Sequence, residues 1–124
     1  MKITIPISVG ELLDKISILQ IKSQHTSSDY VKKELKDLIE IAKQNKVYDE
    51  QELQRLLEVN KKLWDIEYKL RLIEKQQTDD RVFVFEDFIP LARSVYITND
   101  ERSRIKKEIN ERYNSQYQEV KCYV

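Results

Sequence analysis

Glycine occurs once in this chain of 124 residues, at Gly10, and proline twice, at Pro6 and Pro90. Turn-rich β-sandwiches and the glycine-rich loops that cradle phosphates need far more punctuation, whereas long helices need little. Cysteine also occurs once, at Cys122. A single thiol closes no intramolecular disulfide, so a secreted disulfide scaffold is excluded and a cytoplasmic setting is expected. His25 is the only histidine and lies far from Cys122 in sequence, so no metal site is expected. No stretch approaches roughly 18 apolar residues and the N-terminus has no apolar signal core, so no membrane span or targeting segment is expected. Charge of one sign is missing as well. The 22 basic and 22 acidic side chains cancel, whereas a sequence-independent nucleic-acid binder presents a strongly basic face. The nearest approach to one, Arg102, Arg104, Lys106 and Lys107, is interrupted by Glu101 and Glu108.

What is present is charge in quantity. Asp, Glu, Lys and Arg make up 35% of the chain, against about a quarter in an average domain. That excess suits long, solvated helix faces, and the length suits one domain over residues 1–124. The expected class is mainly α: an antiparallel hairpin or bundle of four helices. The two C-terminal helices are long, and a short extended segment stands at each terminus.

Ile3, Ile5 and Ile7 alternate with Lys2, Thr4 and Pro6, the period of a short strand that Pro6 restricts to an edge or an arm. Ser8 with Glu11 then reads as a capping box opening helix 1, which runs to about Gln24. The apolar set of this helix is broad enough for contacts on two sides. Ser28 or Asp29 opens helix 2, which frays near Asn45. Asp49 with Glu52 opens helix 3, about Glu50 to Gln77 and roughly 40 Å long. Thr78–Glu86 reads as a linker holding a brief extended piece at 81–85. Asp87 is expected to cap helix 4, which places Pro90 in the first turn, where its missing amide costs no bond. Helix 4 continues to about Tyr113 without a break at Thr98–Glu101. Val120, Cys122 and Val124 alternate again, as in a second strand.

The apolar seams of the long helices are interrupted by polar residues. On helix 3, Asn60 and Glu67 stand where leucines would pack, and Arg71 lies one turn beyond Glu67. On helix 4 the seam turns polar from Asn99 through Arg102, Lys106 and Asn110, with Arg93 and Tyr96 beside it. In an antiparallel pair, Glu67 and Glu74 would face the cations of helix 4. On helix 1, Glu11 and Lys15 have the spacing of a surface ion pair, and Asp14 stands at the rim of the apolar stripe. Two readings follow from this pattern. The seam is an internal network that fixes register, as buried asparagine does in coiled coils. Alternatively, Asp14, Glu67, Arg71, Arg93, Tyr96, Asn99, Arg102, Lys106 and Asn110 line a cleft for a small anion such as a sugar phosphate, with arginine offering a bidentate fork. Trp64 reads as core. No residue is assigned a catalytic role, and no cofactor is expected.

Four stretches carry a family resemblance: ISVGELLDKISILQIK (7–22), VNKKLWDIE (59–67), LARSVYITNDERSRIKKEIN (91–110) and EVKCY (119–123). With these the chain resembles a family of small bacterial and phage proteins known only as a domain of unknown function. Most of the polar seam falls inside the matching stretches. The chain departs from the family pattern at 76–87, where its linker is longer, and at Cys122, where serine is commoner. The resemblance implies no activity. The expected function is a helical dimerisation or adaptor module, a homodimer that recruits a protein partner, and the alternative is a small-anion-binding protein.

Overall fold

The computed structural model describes residues 1–76 and 85–123. Among them are four α-helices: α1 (Val9–His25), α2 (Asp29–Gln44), α3 (Glu50–Gln76) and α4 (Phe85–Arg112). None is long and apolar enough to cross a membrane. The linker expected at 78–86 lies outside the described residues except for 85 and 86, which belong to α4.

Helix α1 is the centre of the fold and touches each of the other three. Its buried residues run around most of its circumference: Leu12, Leu13, Ile16, Leu19 and Ile21, together with Gly10, Asp14 and Ser17. A helix buried all round needs neighbours on every side. Its Leu12, Leu13 and Ile16 meet Leu53, Leu56 and Val59 of α3, Ile105 and Ile109 of α4, and Ala42 of α2. Each such Leu or Ile contributes about 1.5–3 kcal/mol by leaving water. Helix α2 is a one-sided cover in which only Ala42 is buried.

Local chemistry sets the helix ends. The Ser8 hydroxyl accepts from the Glu11 amide at 3.1 Å, and Asp49 Oδ1 accepts from the Glu52 amide at 3.1 Å. Helices α2 and α4 stop at Lys46 and Asn114, with φ of 58° and 50°. Glycine usually takes that left-handed position. Backbone bonds from Val47 to the Ala42 carbonyl (2.9 Å) and from Ser115 to the Asn110 carbonyl (2.8 Å) close these two ends.

Helix α4 runs in the opposite direction to both α1 and α3. Tyr113 just past α4, and Glu108 and Glu101 within it, meet Asp49 at the start of α3 and Arg55 and Lys62 along it, and Asn110 and Arg102 meet Gly10 and Asp14 of α1. Three expectations are corrected. Helix α4 is already formed at Phe85, so Asp87 is not its cap and Pro90 lies inside the helix. The proline therefore removes the bond that its amide would make to the carbonyl of residue 86. Neither terminal segment pairs as a strand among the described residues. Ile3 and Ile5 stand in solvent, and the C-terminal segment lies along α4 through side chains instead, with Lys121 on Asp100 at 2.7 Å. Nor is Trp64 core: it is 37% exposed and stacks on His25, ring centroids 4.5 Å apart.

The packing is uneven along the long helices. Beyond Asn60, α3 has no buried residue from 61 to 75, and α4 has none from 87 to 97. Past the end of α1, α3 and α4 form a two-helix arm that has no buried core among the described residues.

Candidate functional site

Polar side chains converge where α1 crosses α3 and α4. Asp14 is fully buried. Its Oδ1 accepts from Arg102 Nε at 3.0 Å and from Asn60 Nδ2 at 2.9 Å, and its Oδ2 accepts from Arg102 Nη2. Asn60 Nδ2 also donates to Ser17 Oγ at 2.8 Å, and the Ser17 hydroxyl donates to the Asp14 carbonyl at 2.7 Å. A buried carboxylate is tolerable only with this kind of saturation by donors and a facing charge. The bond to Asp14 holds the Arg102 guanidinium above its ordinary pKa, against burial, and the charges of Asp14, Glu11 and Glu119 add to it.

One turn along α4, Lys106 Nζ lies 2.7 Å from Glu11 and 3.2 Å from Glu119. Burial works to lower its pKa, and the two carboxylates outweigh burial, so the ammonium titrates above the usual lysine range. One further turn along, Asn110 Oδ1 accepts from the Gly10 amide at 2.7 Å, and the Val9 amide donates to Ser115 Oγ at 3.2 Å. Gly10 lets the helices approach this closely. A Cβ there would lie 2.6 Å from the Lys106 carbonyl oxygen and 2.9 Å from Asn110 Oδ1.

The residues anticipated from sequence divide into three groups. Asp14, Arg102, Lys106 and Asn110 come together in the crossing. Asn99 and Glu67 line a cleft beside it. Arg71, Arg93 and Tyr96 stay outside the crossing: Arg71 is exposed and paired with Glu67 on its own helix at 2.7 Å, and Arg93 and Tyr96 are exposed. The expected pairing of Glu67 and Glu74 with the cations of α4 is corrected. Asp14 and Glu11 of α1, with Glu119 of the tail, take those places, because α1 is the helix that faces Arg102 and Lys106. Glu11 accordingly pairs with Lys106 and not with Lys15. Ser17 and Gly10 are additions. Their only signal in the sequence was a small residue on the inner face of a helix otherwise lined with Leu and Ile.

The cleft has a volume of about 520 Å³. Its walls are Ile18, Ile21, Leu63, Trp64, Leu70 and Val95, and its polar lining is Asn60, Glu67, Asn99 and Arg102. A second ionic cluster closes the far end of α3. Tyr113 donates to Asp49 at 2.6 Å, Arg112 reaches Glu52 at 3.2 Å, and Arg55 joins Glu52 (3.0 Å) to Glu108. Burial works to raise the Asp49 pKa, but the bonds from Tyr113 and the Glu52 amide and the Arg112 charge hold it below the usual carboxylate range. Among the described residues no group of three or more His, Cys, Asp or Glu side chains could hold a metal ion.

A model of a family of unknown function (DUF6165) matches residues 1–124. No curated protein and no solved structure matches the chain.

Proposed function

We propose, for a chain that belongs to this family of unknown function, a role as a helical assembly module that acts as a homodimer and presents a joint surface to a protein partner. The observation that carries the reading is the arm. Two amphipathic helices with no buried residue between 61 and 75 or between 87 and 97 do not have, among the described residues, the core that would hold them together in water. The exposed large apolar residues of these two helices are Tyr68, Leu72, Ile89, Tyr96 and Ile97, with Trp64 at the base. Side chains of this size and exposure offer on the order of 100 Å² each, so six give roughly 600 Å² per subunit, near the ~800 Å² per partner of a standard interface. Two such arms related by a two-fold axis would form a four-helix bundle with a shared core.

The crossing supports a structural role for the polar seam. Arg102 and Lys106 already face carboxylates at hydrogen-bond distance, and an added anion would have to displace one of them. The exposed thiol of Cys122 fits a reducing cytoplasm.

Light scattering during gel filtration tests the dimer. The expected mass is twice the 14.9 kDa of one chain, falling to one chain in Tyr68→Glu with its helical circular dichroism retained. A mass of one chain at every concentration overturns the reading.

A further inference from the structure

Arg102 and Asn60 share one anchor, the carboxylate of Asp14. A carboxylate only accepts, so the Asn60 nitrogen must face it, and the amide orientation follows from that. That nitrogen's other bond, to Ser17 Oγ, also points inward, which leaves the carbonyl oxygen as the polar atom of Asn60 on the cleft side. Arg102, which also lines the cleft, turns Nε and Nη2 to Asp14 and leaves Nη1 as its unpaired nitrogen. Neither Asn60 Oδ1 nor Arg102 Nη1 has a hydrogen-bond partner among the described residues, and Asn60 is only 6% exposed. The cleft lining therefore holds one unpaired acceptor and one unpaired donor, on side chains anchored to the same buried carboxylate.

We propose that this cleft binds a small, uncharged molecule with an amide or lactam edge carried on an apolar or aromatic body. Such an edge presents an N–H to Asn60 Oδ1 and a carbonyl to Arg102 Nη1. The local charges select against an anion. Asp14 cancels Arg102, and Glu67 is matched by Arg71, so an anionic ligand would lose its hydration with no surplus positive charge to face. The walls at Ile21, Leu63 and Trp64 suit a planar apolar body, and the volume of about 520 Å³ falls within the range of small-molecule sites. The proposal goes beyond the assembly role and does not rest on it, since the cleft belongs to a single chain; Trp64 is the one residue that the two surfaces share.

The test uses benzamide and benzoate, which share shape and differ in this edge, titrated at millimolar concentration into the full chain. Trp64 is the only tryptophan, so its indole N–H gives one unambiguous ¹H–¹⁵N signal, and the Asn60 side-chain amide gives a second. Benzamide is expected to move both signals, and benzoate to bind about tenfold more weakly. Arg102→Lys keeps a cation opposite Asp14 and removes Nη1, and should weaken benzamide about tenfold. Val95→Phe, at a half-buried wall position, fills the cleft while leaving Trp64 the only indole, and should abolish the shifts. Benzoate binding as tightly as benzamide, no response of Trp64 to either compound, or benzamide shifts that survive Val95→Phe would each overturn the proposal.

Discussion

Adding one methyl group at Gly10 sets two effects of opposite sign against each other. Alanine is the better helix former, and replacing a helical glycine normally gains about 0.5–1 kcal/mol. At Gly10 the new Cβ would lie 2.6 Å from the Lys106 carbonyl oxygen and 3.1 Å from the Lys106 Cα. Both are backbone atoms inside a helix and cannot swing aside as a side chain would. Helices α1 and α4 must then part locally, at an overpacking cost of about 1–3 kcal/mol. Separation also stretches the bond from the Gly10 amide to Asn110, which is worth about 1 kcal/mol. The net expectation is a loss of about 1–3 kcal/mol, or several degrees of melting temperature for a chain of this size. Urea titration followed by circular dichroism measures it as a lower midpoint with an unchanged slope. A Gly10→Ala protein as stable as the parent, or more stable, would refute the close crossing.

Other perturbations reach the same network and the cluster at the far end. Asp14→Ala leaves the half-buried Arg102 without its carboxylate and removes one acceptor from Asn60, and should cost about 2–4 kcal/mol. Adding Arg102→Met to it should recover part of that loss in the same urea titration. Asp49 titrates below its unfolded value, so its contribution is present above an unfolded pKa of about 3.9 and is lost as pH falls through the lower, folded value. Asp49→Asn should therefore lower stability at neutral pH and flatten the acid limb of the stability curve. Lys106 titrates above its unfolded value, so its contribution is full below an unfolded pKa of about 10.4 and is lost as pH rises through the folded one. Lys106→Met should flatten the alkaline limb in thermal melts, and an unchanged limb would argue against the Glu11–Lys106–Glu119 cluster.

Much of the fold was legible because it is written locally. Ser8 and Asp49 could be recognised as caps from residue type and from the acid three positions on, and both make the expected bond. The breadth of the α1 stripe indicated contacts on two sides, and α1 is the helix that touches all the others. The polar seam was visible as well, since Asn60, Arg102 and Lys106 interrupt apolar periodicity. Its partners were not visible. Spacing along one helix says which side chains share a face, but not which helix that face meets. Glu67 and Glu74 therefore looked like the counter-charges of α4, where Asp14 and Glu11 in fact stand. The start of α4 was misplaced for a related reason: Asp87 and Pro90 make a plausible cap on local chemistry, and the helix runs through both. Alternation at the termini suggested strands, but alternation supplies only a face, and a strand also needs a neighbour.

The N-terminal end of α1 is finished by the far end of the chain. The Val9 amide is satisfied by Ser115, 106 positions away, and the Gly10 amide by Asn110, 100 positions away. Helix α1 leaves the ribosome before α4 and therefore lacks the partners of its Val9 and Gly10 amides until α4 and the residues just after it have been made. Its inner residues Asp14 and Ser17 wait in the same way for Asn60 and Arg102. The central helix is synthesised before the helices that complete it. In the interval its exposed leucines and isoleucines are what a nascent-chain chaperone would meet.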